Sequence, residues 1–517
     1  MKKGAFVGLV GIVGWVGFPQ VAWGAMSRPE PFNHESSNGA DVDLNEQFEG
    51  VHREIEAEIV ERLEIVIDQI RTMLNDSASF DRATIEQLQH RLATHLLELA
   101  EHQMRKAFED CPEVWRRCAS AYRVTMAEAI ATLETLGTDR HYRRADEALF
   151  ALAMAHKELA IQAFDTEHNT KQSMEVLQQL VQRYPQSAMT PTAWFEIGEY
   201  WYEVRESPIK AIAAYKRATT NIDPFMAPLV YYKLGWAYHA MGAEDDGVAT
   251  LWEAVRLSLH GAQQREERLD LSQEALADLA VWHAELGQVE DALALIGRCC
   301  TDQRDSFVSA LADRLASMGA LDQAIGLWEK RIAEDPLDTK RPEWALQVVD
   351  AELRRGGHEA ALERLLVLAE EIENGSWRRF HSDNDRAIHE VTLLTQKMLG
   401  DIATDAHRMA RRGGGRIAME AAIGAYRAYI ERFGDTEEAY DVRFWYAEAL
   451  YTLGSQALQR ADTRAFARQY LEAAADEYEV VRDQNPSGAH LQEAALGAIF
   501  ALDQLLLLEG KERRLAD

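Results

Sequence analysis

Leu229-Val230-Tyr231-Tyr232-Lys233-Leu234-Gly235-Trp236-Ala237-Tyr238, followed by Gly242 and then by Gly247, Leu251 and Ala254, is the stretch on which the fold turns. Tyr231, Leu234 and Tyr238 recur at helical spacing, so they line one side of a helix. Gly242 stands where that helix must stop, because glycine takes the left-handed conformation that ends a helix without penalty. Gly247, Leu251 and Ala254 are four and three apart and share one face of a second helix. Gly235 sits where the two helices touch, and a larger side chain there would push them apart. The unit is a helix hairpin.

Copies lie on both sides. Upstream come Trp194, Ile197-Gly198 and Trp201, then Ala211, Tyr215, Ala218 and Pro224. Downstream the pattern continues as Leu276, Leu279-Ala280, His283, Gly287, Ala292, Ile296, and then as Leu311-Ala312, Leu315, Gly319, Ala324, Trp328, Pro336. A looser copy has Val348-Val349, Gly356, Ala361 and Leu365. Leu149 and Leu152-Ala153 open an earlier unit that closes at Tyr184-Pro185, with extra residues around Asp165–Thr170. Ala422, Tyr426 and Tyr429, then Tyr446-Ala447, Leu450, Gly454, Ala474, Tyr478 and Pro486, form later ones, and residues 491–508 read as a closing helix. Each such unit buries its apolar face only against its neighbours, which is the logic of a solenoid. Gly198, Gly235 and Ala280 are expected at the close contacts, Gly242, Gly287 and Gly319 at the turns, and Trp194, Trp201, Tyr231 and Tyr238 in the core.

Several stretches resemble the tetratricopeptide (TPR) repeat, a hairpin of about 34 residues. Arg183-Tyr184-Pro185-Gln186-Ser187 followed by Ala193-Trp194-Phe195-Glu196-Ile197-Gly198-Glu199-Tyr200 resembles the unit boundary of periplasmic TPR proteins, among them the outer-membrane assembly lipoprotein and Tol-Pal-associated families. Asp146 through Ala153, and Leu229 through Tyr238, resemble the myxobacterial gliding-motility TPR lipoproteins. The resemblance is good over 141–260 and weaker over 420–500. It implies an envelope scaffold of a Gram-negative bacterium. It departs in one respect: this chain lacks a lipidation cysteine after its apolar leader.

That leader is the most specific local signal. Lys2 and Lys3 precede an apolar run from Ala5 to Val16, Pro19 ends it, and Ala22-Trp23-Gly24 offers small residues at the −3 and −1 positions of a cleavage site. The run is short of the ~20 residues that cross a bilayer. Residues 1–24 are therefore expected to be a signal peptide cleaved near Gly24, which puts the mature chain in the periplasm. Residues 25–45 are polar and turn-rich and read as a flexible linker. Residues 46–140 carry long amphipathic patterns (Ile55, Ile59, Leu63, Val66, Ile67, Ile70; then Ile85, Leu88, Leu92, Leu96, Leu99) that predict a helical bundle, with a third helix over 112–136. The repeats divide into 141–374 and 417–517, with 375–416 as a hinge or insertion. No later segment reads as a membrane span, so membrane association is expected only through partners. The fold class is all-α: a TPR-like α-α superhelical solenoid behind an N-terminal helical bundle.

Export makes the four cysteines matter, because the compartment is oxidising. Cys111, Cys118, Cys299 and Cys300 allow three pairings. Residues seven apart on a helix rise roughly 10 Å, whereas a disulfide needs Cα atoms within about 7 Å. Cys111 can bridge to Cys118 only if the chain folds back before Pro112. Cys299 and Cys300 are expected to be two small buried side chains.

The net charge is −30 over 517 residues, with no segregated basic patch, so a nucleic-acid partner is not expected. No GxSxG, HExxH, phosphate-cradling GxxxxGK[ST] or post-strand GxGxxG is present, and Gly413-Gly414-Gly415 has no strand before it. His95, Glu98 and His102 share a helix face but read as a solvated stripe, and His381 through Asp385 as a plain turn. No cofactor, metal, small-molecule substrate or catalytic residue is assigned. The candidate residues are groove positions: Phe195, Glu199 and Tyr202 on one first helix, and Tyr232, Trp236 and His239 on the next, where aromatic anchors would hold a protein partner of the cell envelope. A peptidoglycan-acting enzyme on a superhelical scaffold is the alternative. It requires a lone buried glutamate in 46–137 or 375–416. A periplasmic chaperone for outer-membrane proteins is a third reading.

Overall fold

The computed structural model describes residues 40–264, 269–458 and 463–516. The expected signal peptide, and the expected linker as far as residue 39, lie outside the described residues. Met1–Ser272 and Gln273–Asp517 form two compact units, and their boundary falls inside the stretch expected to be one array. The chain is an all-α solenoid of helix hairpins, and the two units are described in turn.

The first unit contains α1 (Ala40–Asn75), α2 (Arg82–Asp110), α3 (Trp115–Cys118), α4 (Ser120–Thr138), α5 (Ala145–Ile161), α6 (Thr166–Arg183), α7 (Thr190–Glu199), α8 (Pro208–Ala218), α9 (Ala227–Ala240) and α10 (Glu244–Gln264). Helix α1 begins inside the expected linker, at Ala40. Leu63, Ile67 and Ile70 of α1 pack on Leu92, Leu96 and Leu99 of α2, while Ile55, Ile59 and Val66 of the same pattern stay exposed. Asp81 caps α2 by accepting a 2.8 Å hydrogen bond from Thr84 N, which satisfies one of the free N–H groups of the first turn.

The helix expected over 112–136 is broken. Residues 112–114 form a turn, and only then do α3 and α4 follow. The fold-back places the Cα atoms of Cys111 and Cys118 6.4 Å apart, and the two are disulfide-bonded.

Helices α5/α6, α7/α8 and α9/α10 are hairpins. The extra residues around 165–170 lengthen α6 rather than form a loop: the turn is Gln162 through Asp165, and Ala163 and Asp165 both take positive φ.

The second unit contains α11 (Ser272–Leu286), α12 (Val289–Cys299), α13 (Arg304–Ser317), α14 (Leu321–Glu334), α15 (Arg341–Arg354), α16 (His358–Glu373), α17 (Ser376–Phe380), α18 (Asp385–Met409), α19 (Gly415–Phe433), α20 (Ala439–Ala457), α21 (Arg464–Gln484) and α22 (Leu491–Ala516). Gly287, Gly319 and Gly356 take φ of 69°, 86° and 83° where the first helix of a hairpin gives way to the second, as Gly242 does at 77° in the first unit. A side chain there would meet open space but a disfavoured backbone.

One expectation narrows here and another fails. The 375–416 stretch, read as a hinge or insertion, is packed rather than hinge-like: Val391, Leu399, Ile402 and Ala406 of α18 are buried with Leu365 of α16 and Ala422 of α19. A kink within Ala410–Gly414, where Gly413 leaves the helical conformation at φ 108°, reverses the chain between α18 and α19. Cys299 and Cys300 are not separate buried thiols but are bonded to each other. Helix α12 ends between them, and Cys300 has left the helical conformation at φ −149°, which lets neighbouring sulfurs meet. His381 through Asp385 is the turn expected: His381 Nε2 lies 2.8 Å from Leu337 O, and Asn384 caps α18 at Ala387 N.

Candidate protein-binding face

The first helices of the three hairpins in the first unit are α5, α7 and α9. Aligned on their small-residue contacts, Phe150, Phe195 and Tyr232 occupy one repeat position, and all three are buried. Phe195 packs on the ring of Tyr215 in its own hairpin, with centroids 5.9 Å apart. Phe195 and Tyr232 are therefore core residues, not groove residues. A first helix in a stack is covered on several sides at once, by its own second helix and by the hairpins on either side, so its open stripe is narrower than that of an ordinary amphipathic helix.

The open stripe holds the remaining candidates. Glu199, Tyr202, Trp236 and His239 are half-buried. They sit among charged side chains that link successive first helices. Lys157 of α5 donates from Nζ to Glu196 of α7. Lys233 of α9 donates to Glu199 Oε2 of α7 at 2.8 Å and lies 3.6 Å from Glu203 Oε1. Tyr215 donates its hydroxyl to the other oxygen of Glu199. Burial first, and then the Glu199 carboxylate, hold that phenol protonated far above its ordinary range. His239 Nδ1 lies 2.6 Å from Glu244 Oε2, and the Trp236 ring meets the His239 ring edge-on at 5.8 Å. Burial, then the Glu203 and Glu199 carboxylates, raise the Tyr202 pKa. The Lys157–Glu196 and Lys233–Glu199 pairs are largely buried, so they fix the relative placement of α5, α7 and α9 and leave the aromatics presented on a rigid support.

Sequence reasoning missed Lys157, Glu196 and Lys233. The available signal was the alignment itself, since Glu196 and Lys233 occupy equivalent positions one residue beyond Phe195 and Tyr232. Trp194, Trp201 and Tyr231, expected in the core, are half-buried, while Tyr238 is buried. Trp194 lies under the Arg217 guanidinium at 4.4 Å, and Trp201 under Lys210 Nζ at 4.0 Å. Cation–π contacts of this kind shield the rings without a second apolar layer. Helix α7 continues directly into a π-helical turn, Tyr200–Val204, which widens the helix where Tyr202 projects.

A second feature had no sequence signal. A cleft of about 470 Å³ is bounded by α4, the end of α5 and the start of α6, with Ile130, Leu159 and Phe164 as apolar walls and Arg123, Glu134 and Asp165 at its polar edge. Phe164 also meets Trp115 of the disulfide loop edge-on at 5.7 Å.

The alternative enzymatic reading needed a lone buried glutamate. Among the described side chains of 55–137 and 375–416 no glutamate is buried. Glu86 and Glu101 are the least exposed of the paired ones: Glu86 pairs with Arg82 at 2.7 Å, and Glu101, whose pKa burial raises, pairs with Arg105 at 3.4 Å. His95 and Glu98 approach to 3.4 Å, while His102 turns toward Glu56 at 3.5 Å. Among the described residues no three potential metal ligands converge.

An all-α stack of helix hairpins, with a row of aromatic and charged side chains on successive first helices, defines a helical-repeat protein. Residues 147–187, which take in most of α5 and all of α6, match the tetratricopeptide repeat family. No curated protein sequence matches this chain. Among solved structures, the Naa15/Naa10 complex bound to HypK-THB is 12% identical, with 86% of this chain and 67% of that one covered at a TM-score of 0.31. The TPR2AB domain of yeast Sti1 in complex with pHSP90 is 14% identical, with 61% and 99% covered at 0.23. The human IFIT1 dimer with PPP-AAAA is 12% identical, with 86% and 94% covered at 0.23. The fold assignment rests on the helices themselves.

Proposed function

We propose that this chain is an exported scaffold that holds protein partners in the cell envelope, in an outer-membrane biogenesis or motility-type assembly, with the open stripe of α5, α7 and α9 as the receiving face. One observation carries the reading. Ion pairs between successive first helices, Lys157 with Glu196 and Lys233 with Glu199, lock the support on which Tyr202, Trp236 and His239 stand half-open. A pre-organised row of rigid aromatics loses little entropy when a partner segment settles on it.

Export is supported by the leader in the sequence and by the sulfur chemistry. All four cysteines are paired, Cys111 with Cys118 and Cys299 with Cys300, and such pairs persist in oxidising compartments. The net charge of −30 favours partners with basic or neutral contact surfaces.

The test is affinity capture of the tagged chain from envelope extract, comparing wild type with a Tyr202→Ala, Trp236→Ala double variant. Tyr232 is left alone because it is core. The reading expects a defined set of partners on the wild type and its loss from the variant, with both chains equally helical. Equal capture by both proteins removes the face assignment, and recovery of the chain in the cytoplasmic fraction removes the envelope assignment.

A further inference from the structure

We infer that the outer face of α22 is a self-association surface on which a second copy of this chain docks through its own α22. Helix α22 is two-sided. Its inner side is small: Ala494, Ala498 and Ala501 are buried, and Gly497 lies against the Tyr478 ring so closely that a Cβ would come 2.6 Å from Cζ. Gln504 ties the same side to α20, donating to Tyr451 Oη at 2.8 Å and accepting from Ser455 Oγ at 3.0 Å. The outer side is large and apolar. Leu496, Ile499, Phe500, Leu502, Leu506 and Leu507 are 45–65% exposed, and nothing among the described residues covers them.

Two occupants suit such a face, a bilayer or a second helix. By length and composition alone, residues 491–509 are long and apolar enough for a membrane span, against the expectation that no segment after the leader is one, but a third of the stretch is already buried within the protein. Asp503 stands at the centre of the outer stripe, with Glu493 and Glu509 at its ends. A carboxylate facing hydrocarbon is costly, and Asp503 would face it, whereas Glu509 is paired with Arg468 at 3.4 Å. A helix pair leaves these carboxylates nearer water, at a cost in affinity where the two copies' Asp503 side chains approach. Leu496, Ile499, Asp503 and Leu506 fall at a, d, a and d of a heptad, with Phe500 and Leu507 beside them, the pattern that interlocks with another helix. One polar residue at an a position disfavours competing registers at some cost in affinity. With roughly 100 Å² open on each of the six side chains, one copy offers about 600 Å² of apolar surface before its neighbours are counted, close to the ~800 Å² per partner of a stable interface.

The experiment is sedimentation velocity on the full chain across a concentration series, comparing wild type with a Leu506→Glu, Leu507→Glu double variant and with Asp503→Leu. Both altered sites are solvent-exposed, so the variants keep the fold, and circular dichroism checks this. The wild type is expected to dimerise in the micromolar range. The double-glutamate variant should associate at least about tenfold more weakly, and Asp503→Leu more tightly than wild type. A wild type that stays monomeric to about 100 µM, where a Kd gives only some 5–6 kcal/mol of binding, overturns the inference. So does a double variant that dimerises as wild type does. Flotation of a monomeric wild type, but not of the double variant, with phosphatidylethanolamine/phosphatidylglycerol vesicles assigns the face to lipid and overturns it too.

Discussion

Gly198 of α7 lies against the ring of Tyr215 in α8, so that any Cβ on the glycine would fall among Cδ1, Cε1 and Cζ of the ring. Tyr215 cannot yield. It is fully buried, and its hydroxyl is committed to Glu199. Gly198→Ala should therefore destabilise the first unit by about 2–3 kcal/mol through overpacking. Gly242→Ala meets no neighbour but keeps a left-handed backbone, and should cost only ~1 kcal/mol. Urea midpoints of the two variants make the comparison. Equal losses would mean that hairpin closure is not limited by space at Gly198.

Reduction of Cys111–Cys118 should loosen the first unit locally. The bond closes a short loop and stabilises by roughly 2 kcal/mol in the chain-entropy picture. The loop carries Trp115, stacked on Phe108 at 4.1 Å, and Arg116, whose Nε donates to Gln162 O at 2.9 Å. A Cys111→Ser, Cys118→Ser variant should lower the melting temperature of the first unit and red-shift Trp115 emission. An unchanged Trp115 environment would show that packing alone holds the loop.

Stability should fall on mild acidification. Burial lowers the pKa of His90 and of His407 from the ordinary 6.5, so the folded chain keeps them neutral while the unfolded chain takes up protons first. Their contribution is complete above about pH 6.5 and is lost as pH falls through the depressed folded values. His90 Nδ1 lies 2.7 Å from Tyr142 Oη, which holds the ring in place. The urea midpoint should drop between pH 7 and pH 5, and His90→Gln, His407→Gln should flatten that slope. A midpoint independent of pH over this range would contradict the burial argument.

Glu196 is buried and its partner Lys157 only partly so. Glu196→Gln should cost about 1–3 kcal/mol, since a half-buried ammonium loses its counter-charge. Lys157→Met, Glu196→Leu should recover much of that loss, because an apolar pair of similar volume carries no desolvation penalty. A double-mutant cycle by denaturant titration isolates the coupling, and a coupling near zero would mean that the pair does not fix α5 against α7.

The hairpins were legible because repeat packing writes itself into sequence as small residues at fixed offsets. A Cβ added at Gly235 would come within 3.3 Å of Gly247 O, and Gly242, Gly287 and Gly319 all turn where the pattern put them. The side of a helix that stays open was less legible. Phe195 and Tyr232 read as surface because the helical wheel of one hairpin does not show what its neighbours cover. The run 375–416 reads as a hinge or insertion, yet α18 within it is core, since burial against α16 and α19 needs only an apolar stripe. Pro112 suggested a helix start, but the bridge to Cys118 requires a turn there, a constraint set by a residue outside the local window. The cleft beside Phe164 left no trace, because it arises from three elements and from positive φ at Ala163 and Asp165, residue types that do not advertise it.

The glycine joints carry one more implication. Gly242, Gly287, Gly319 and Gly356 each bend the backbone by the same left-handed step, so every joint is specified by residues within a few positions of itself. Copying or excising one whole hairpin in the gene would leave the remaining joints intact. The length of such a chain can thus be retuned by inheritance in increments of a single module, with no need to redesign the rods that remain.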